Sequence, residues 1–206
     1  MLLHLVGGGN SQVATARKIK ERGYSLLVSD YTPDAPAKAY ADYSSLASTF
    51  DADAVTAVSR SFNVDGILTT GTDQPVLTCA LAAERLGLPY PIDSRTAAAV
   101  TDKAVMKPLM QASGIPTNPF TILPGVPPFT SGNRLPAIME EAGITFPAVL
   151  KPVDSQGQRG VVRVETLNEC IRLLPYAGHY SRRGEILLET YYPSDEITVS
   201  GWVTGN

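Results

Sequence analysis

Residues 146–164 read FPAVLKPVDSQGQRGVVRV. Two short apolar runs, PAVL and VVRV, flank a polar stretch that carries Lys151, Ser155, Gly157, Arg159 and Gly160. Runs of this length bounded by Gly and Pro read as a pair of strands. Hairpin strands usually meet over a tight turn such as Asn-Gly. This link is longer, and it sets cations beside its glycines. Lys151 closes an apolar strand, so its ammonium group is held on stiff backbone. Glycine admits conformations in which successive N–H groups converge on an anion. A charged ligand of phosphate type suits the stretch best. The plainer alternative is an edge-strand lysine beside a flexible turn.

Downstream, LLETYYPSDEITV (187–199) reads as two β-rich runs, 185–192 and 196–203, that meet at a Pro-Ser turn. Glu189 and Glu196 lie an odd number of positions apart, which would set them on opposite faces of one regular strand. The turn breaks that phase, so both can reach one cleft. Upstream, TDKAVMKPLMQASGIPTNPF (101–120) opens a helix on Lys103. A lysine in the first helical turn opposes the macrodipole, which makes an anionic partner more attractive there. Pro108 removes a helical hydrogen bond, so a kink or a restart is expected at that point. The proline-rich stretch 116–136 reads as strand and loop. Short helices are expected at 135–142 and 167–174.

The first part of the chain alternates strand and helix. Apolar runs at 2–6, 25–29 and 66–70 alternate with helical patterns at 11–22, 51–62 and 74–86. Continuous apolar strands separated by helices indicate a parallel sheet covered on both faces. Gly7, Gly8 and Gly9 fall between the first strand and the first helix, where backbone N–H groups can approach an anion. A dinucleotide fingerprint would need glycine at 12, where the chain has Gln12, although Asp30 stands where its acidic residue belongs. Thr72, Asp73 and Gln74 follow the strand at 66–70. Thr72 and Asp73 could cap the next helix, or all three face a substrate beyond the carboxyl ends of the strands.

The chain has 206 residues, 44% hydrophobic and 18% charged, with a formal net charge of −3. That is ordinary globular material with no general attraction to nucleic acid or to an anionic membrane. No apolar run reaches the ~18 residues that would span a bilayer. MLLHLVGGG lacks the basic n-region of a signal peptide, so a cytoplasmic setting is expected. Cys79 and Cys170 lie far apart within helical patterns and read as buried thiols.

In this order and spacing, the stretches at 101–120, 146–164 and 186–203 resemble the ATP-grasp superfamily. The first looks like the entry to its nucleotide domain, the second like its lysine strand and phosphate loop, and the third like its adenine hinge. Residues 1–92 look like the Rossmann-like domain that precedes it in biotin carboxylases and carbamoyl-phosphate synthetase large subunits. The resemblance implies an α/β chain: a Rossmann-like parallel-sheet domain over 1–92, followed by an incomplete α+β ATP-grasp domain. Its first subdomain would span 93–184, and its second would begin at 185–206.

The resemblance also implies roles. Lys103 would contact the α-phosphate of ATP, and Lys151 would bridge the α- and β-phosphates. Residues 155–160, with Ser155, Gly157, Arg159 and Gly160, would close over the β- and γ-phosphates. Glu189 would take the adenine amino group, the backbone of Thr190, Tyr191 and Tyr192 would meet the base edge, and Glu196 would hold the ribose hydroxyls. Gly7, Gly8, Gly9, Thr72, Asp73 and Gln74 would face substrate. Such enzymes activate a small-molecule carboxylate as an acyl phosphate, which an amine, thiol or other nucleophile attacks. They use ATP with Mg²⁺, held by acidic residues and an asparagine in a later segment. Past Glu196 the chain reads ITVSGWVTGN, without Asp or Glu. No metal ligand is therefore expected within it. Ligands are expected beyond residue 206, and the chain alone is expected to be inactive. A sheet edge exposed near its end would favour a homo-oligomer. The competing readings are a non-catalytic module that binds nucleotide or a partner, and an NAD(P)-binding Rossmann protein.

Overall fold

The runs LLHLV and SLLVS carry no charge, so neither offers a polar face to water, and both become interior strands. They form β1 (Leu2–Val6) and β2 (Ser25–Ser29), paired in parallel from Leu2↔Ser25 to Val6↔Ser29. The computed structural model describes residues 1–125, 134–195, 197, 199 and 201. With β3 (Tyr43–Ser45) and β4 (Gly66–Leu68) these strands make a four-stranded parallel sheet in the order β3-β2-β1-β4. Consecutive side chains of a strand point to opposite faces. Leu5 accordingly packs with Ala16, Ile19, Leu26 and Val28, while Val6 packs with Val55, Ile67, Cys79 and Ala83. Helix α1 (Asn10–Glu21) covers the first face, and α2 (Ala52–Ser61) and α3 (Gln74–Leu86) cover the second. This is the doubly covered parallel sheet that the sequence indicates.

His4 lies within β1 and is fully buried. Ser59 Oγ donates to the Val55 carbonyl at 2.8 Å, so it must accept from His4 Nδ1 at 2.7 Å. That bond network assigns the Nδ1–H tautomer, leaving Nε2 to accept from Ser29 Oγ at 2.6 Å. Burial disfavours the charged ring and lowers its pKa to about 4.

The chain divides into two compact units, Met1–Ile115 and Pro116–Asn206. Helices α4 (Ser94–Thr101) and α5 (Lys103–Ala112) lie beyond the boundary expected near residue 92 yet stay with the first unit, because α4 packs on α3 and α5 on α4. Of the kink or restart expected at Pro108, the restart is not there. Helix α5 runs through that proline, and the break falls at Asp102, whose side chain accepts from Ala104 N at 2.8 Å and caps α5. A cap satisfies an otherwise unpaired N–H, which makes Asp102 the cheaper place to interrupt the helix.

The second unit is an antiparallel sheet in the order β5-β8-β6-β7, formed by β5 (Phe120–Pro124), β6 (Ala148–Pro152), β7 (Val162–Val164) and β8 (Glu185–Thr190). Helices α6 (Arg134–Glu141) and α7 (Leu167–His179) supply Leu135, Met139, Cys170 and Leu174 to its core, against Ala148, Leu150, Ile186 and Leu188 of the strands. Residues 185–190, expected to open a second subdomain, lie inside this sheet between β5 and β6. The reason is their alternation: Ile186 and Leu188 bury against the same helices as Ala148 and Leu150. The run expected at 196–203 falls largely outside the described residues.

Candidate functional site

Helices line one face of the antiparallel sheet, and the alternating residues present another set of side chains on the opposite face. Register places Lys151 across from Leu187, and Glu189 across from both Val149 and Phe120. Lys151 and Glu189 therefore share that face on adjacent strands. Lys151 Nζ donates to Glu189 Oε1, joining a half-buried ammonium to a carboxylate that is only 6% exposed. A carboxylate this buried stays charged only if a cation and hydrogen bonds replace its water. Arg163 of β7 pairs across Val149 and brings a second cation to the face. Its guanidinium lies 4.3 Å from the ring centroid of Tyr191, and its Nε donates to Glu165 at 2.9 Å. The sequence reading missed Arg163. Its signal was the alternation in VRV, where Val162 and Val164 face the helices and the arginine between them cannot.

The link from β6 to β7 has the backbone that its glycines suggested. Gly157 and Gln158 adopt left-handed conformations in succession, with φ of 64° and 60°, and Gly160 follows with φ of 72°. Val161 N donates to the Gln158 carbonyl at 3.2 Å, and Ser155 Oγ donates to the Arg159 carbonyl at 3.3 Å. Gly157, Gln158 and Arg159 are exposed, whereas Gly160 is buried. Gln158 holds a conformation disfavoured for residues with a side chain by ~1–2 kcal/mol. Such strain concentrates where loops bind ligands.

Beyond β8 the backbone is partly committed. Thr190 N donates to the Pro119 carbonyl at 3.1 Å, and Tyr191 N to the Pro147 carbonyl at 2.9 Å. The Thr190 carbonyl accepts from Asn118 Nδ2 at 3.2 Å, which leaves it a second lone pair. Tyr192 is 68% exposed. Of the base edge expected from Thr190 to Tyr192, the first two N–H groups are thus engaged within the protein. Glu196 lies outside the described residues.

In the first unit the glycine turn is braced from both sides. Gly8 N donates to Asp30 Oδ2 at 2.8 Å, and the Gly8 carbonyl accepts from Ala37 N at 2.8 Å. A Cβ on Gly8 would stand 2.8 Å from that of Ala35, so glycine is required there for close packing. The other oxygen of Asp30 accepts from Thr32 N at 2.8 Å. Asp30 therefore holds the turn, the structural counterpart of the acidic position in a dinucleotide fingerprint. Gln12, where that fingerprint needs glycine, is buried and donates to the Thr70 carbonyl at 2.5 Å and to Thr72 Oγ1 at 3.5 Å. Gln74 is engaged at both ends, accepting from Thr49 Oγ1 at 2.6 Å and donating to the Thr49 carbonyl at 2.7 Å. Asp73 precedes α3 but makes no capping bond with its side chain. Its backbone there is helical, whereas a capping side chain reaches back from an extended one. Asp73 therefore does not cap α3, contrary to the expectation. Lys103 is the first residue of α5 and half-buried.

Cys79 and Cys170 are free and buried, as expected, and burial raises their pKa values to about 12 and about 11. Among the described residues no three His, Cys, Asp or Glu side chains gather where they could hold a metal ion. No described helix is long and apolar enough to cross a membrane.

The chain is similar to several known proteins. No protein-family model matches the chain. A D-alanine–D-alanine ligase of Gloeobacter violaceus is 34% identical over 116 residues, 56% of this chain and 36% of the ligase. Its counterpart from Hydrogenovibrio crunogenus is 31% identical over 116 residues, 56% of this chain and 34% of the ligase. Among solved structures, the ADP complex of an N5-carboxyaminoimidazole ribonucleotide synthetase superposes with a TM-score of 0.69 at 21% identity, over 93% of this chain and 47% of that one. The biotin carboxylase domain of a Hydrogenobacter thermophilus 2-oxoglutarate carboxylase, bound to ADP and bicarbonate, gives a TM-score of 0.68 at 22% identity, over 92% of this chain and 44% of that one. The matches thus span about a third of the curated relatives and just under half of these solved chains.

Proposed function

We propose that this chain, whose fold is that of the ATP-grasp superfamily, forms the nucleotide-binding portion of an ATP-dependent ligase that joins a small-molecule carboxylate to a nucleophile. The supporting observation is the pairing of Lys151 with buried Glu189 on the sheet face opposite the α6 and α7 core, with a loop of left-handed residues joining β6 to β7. A glutamate held by a lysine in this way keeps its charge in a poorly solvated place. Each carboxylate oxygen accepts more than one hydrogen bond, so Glu189 can take the adenine amino group, while Lys151 turns its remaining donors to the α- and β-phosphates. The loop carrying Ser155, Gly157, Arg159 and Gly160 offers N–H groups and a guanidinium to the β- and γ-phosphates. Lys103 serves the α-phosphate, the Thr190 carbonyl and Tyr192 N the base edge, and Glu196 the ribose. The turn at Gly7, Gly8 and Gly9, with Thr72, Asp73 and Gln74, faces the carboxylate substrate.

ATP supplies the phosphoryl group that activates the carboxylate. These residues position it and neutralise its charge, which is most of what such transfer asks of a protein. Mg²⁺ would share that neutralisation, but no donor set for it lies among the described residues. The braced Gly8 and the engaged Asp30 favour ATP over NAD(P).

Thermal unfolding with Mg-ATP, Mg-ADP or NAD, in wild type and Lys151→Ala, tests the proposal. A ligand at a hundred times its dissociation constant stabilises by ~2.7 kcal/mol. That corresponds to roughly 5–10 °C for a chain of this size. A shift with ATP or ADP that is lost in Lys151→Ala is expected. A shift with NAD alone, or an undiminished ATP shift in the variant, would overturn the proposal. Turnover of ATP by the protein separates a ligase from a module that only binds nucleotide.

A further inference from the structure

Both ends of the loop between β6 and β7 are fastened to the residues that follow α7. At the start of the loop, Asp154 Oδ2 accepts from the backbone N–H groups of Arg182 at 3.0 Å and Arg183 at 3.2 Å. At its end, Gly160 is packed so closely that a Cβ would stand 2.8 Å from Tyr180 Cδ2 and 2.8 Å from Pro152 Cγ. Tyr180 caps the carboxyl end of α7. The turn itself is pinned to the start of β8: Glu185 N donates to Ser181 Oγ at 3.1 Å, and Arg183 pairs with the Glu185 carboxylate at 2.7 Å. That same strand carries Glu189, the partner of Lys151. Between the two fastened ends, Gly157, Gln158 and Arg159 stand exposed.

We propose that Asp154 is a positioning residue for the phosphate loop, clasping its base to the 181–184 turn so that only the stretch around Gly157 to Arg159 is free to move. This rests on the ATP reading above. Asp154 points its bonded oxygen at backbone amides of the turn and acts on nucleotide only through the loop. Its other oxygen, Oδ1, is buried without a hydrogen-bond partner. A buried acceptor left unpaired favours any rearrangement that brings it a donor. Closure of the loop is expected to bring one of its amides to this oxygen. The clasp thus fixes where the loop hinges, and Tyr180 behind Gly160 supplies the stop at the far end.

The test has two readouts on the intact protein, in wild type, Asp154→Ala, Asp154→Asn and Tyr180→Leu. The first is amide hydrogen exchange across 155–161 without nucleotide, which measures local opening. Faster exchange is expected in Asp154→Ala, with partial rescue in Asp154→Asn, which keeps one acceptor oxygen for the turn. The second is affinity for ATP, ADP and AMP. Loss of the clasp is expected to weaken ATP and ADP about tenfold and AMP less than about twofold, since AMP lacks the phosphates that the loop would hold. Tyr180→Leu is expected to share this pattern, and its half-exposed ring makes it the safer variant for folding. Equal ATP affinity in wild type and Asp154→Ala would overturn the positioning role while leaving the ATP reading intact. A uniform loss across all three nucleotides would also overturn it, marking a merely structural residue. Wild-type protein that binds neither ATP nor ADP would overturn both.

Discussion

Lys151 and Glu189 sit on neighbouring antiparallel strands, diagonal in register, and close one ion pair on the sheet face opposite the core that α6 and α7 share with Leu150 and Leu188. The pair serves structure as well as binding, and the two roles separate by substitution. Removing one member of a fully buried pair costs ~3–5 kcal/mol. Because the Lys151 side chain is 31% exposed, water will take over part of its role, and Lys151→Met is expected to cost about 2 kcal/mol. Adding Glu189→Leu is expected to recover most of that loss, since no charge is then left buried alone. Neither variant is expected to be stabilised by ATP. Urea titration of the double-mutant cycle, with and without nucleotide, checks both statements. A double variant no more stable than Lys151→Met would show that the carboxylate has other cationic partners of equal weight.

His4 makes stability depend on pH. Its folded pKa of about 4 lies below the ordinary value of 6.5, so the unfolded chain takes up the proton first as pH falls. Stability is therefore full above pH 6.5 and declines as pH drops toward 4, where the buried ring also protonates. The difference corresponds to about 3 kcal/mol. His4→Gln can still bond both serines and carries no charge to bury. Denaturant midpoints at pH 7, 5.5 and 4 are expected to fall more steeply in wild type than in this variant. Parallel curves would refute the assignment.

The two loop glycines are predicted to differ. A Cβ on Gly157 meets nothing within 4 Å, so Gly157→Ala bears only the left-handed backbone cost, about 1 kcal/mol. Gln158 already tolerates that conformation next door. A Cβ on Gly160 would drive into Pro152 and Tyr180, and that overpacking adds about 1–3 kcal/mol. Urea midpoints of the two alanine variants should differ in this order. Equal midpoints would mean that Tyr180 moves aside freely.

Cys79 and Cys170 should resist alkylation in the native protein. With pKa values raised to about 12 and about 11, almost no thiolate is present at pH 8. Iodoacetamide is expected to modify neither within an hour natively and both in denaturant, as mass spectrometry would show. Rapid native labelling at Cys170 would point to opening of α7.

What the sequence revealed follows the reach of each signal. The buried strands β1 and β2 were legible because a charge-free run is a local property. So were Lys151 and its loop, where the glycines and the lysine lie within one hairpin. Strand β3 was not, since YSS is short and polar and is held by pairing with β2 from Leu27↔Tyr43 to Ser29↔Ser45. The clasp of Asp154 on Arg182 and Arg183 joins residues too far apart in sequence for any local pattern. Asp73 looked like a cap because its residue type and place were right. Only its helical backbone, visible in the structure, shows that its side chain cannot reach back. The hold of Thr49 on both ends of the Gln74 amide was likewise beyond any local pattern.

The interior place of β8 has a consequence for synthesis. Its partners β5 and β6 precede it in the chain and do not pair with each other. As the polypeptide leaves the ribosome, β5 must wait for residues 185–190 before any strand completes its edge, while the β6–β7 hairpin can form earlier. The closing contacts, Phe120 with Glu189 and Ile122 with Leu187, are distant in sequence, and such contacts form slowly. Until they form, the apolar residues of β5 and the hairpin stay exposed to other chains. The strand that carries Glu189 is thus also the strand on which the birth of the second unit depends.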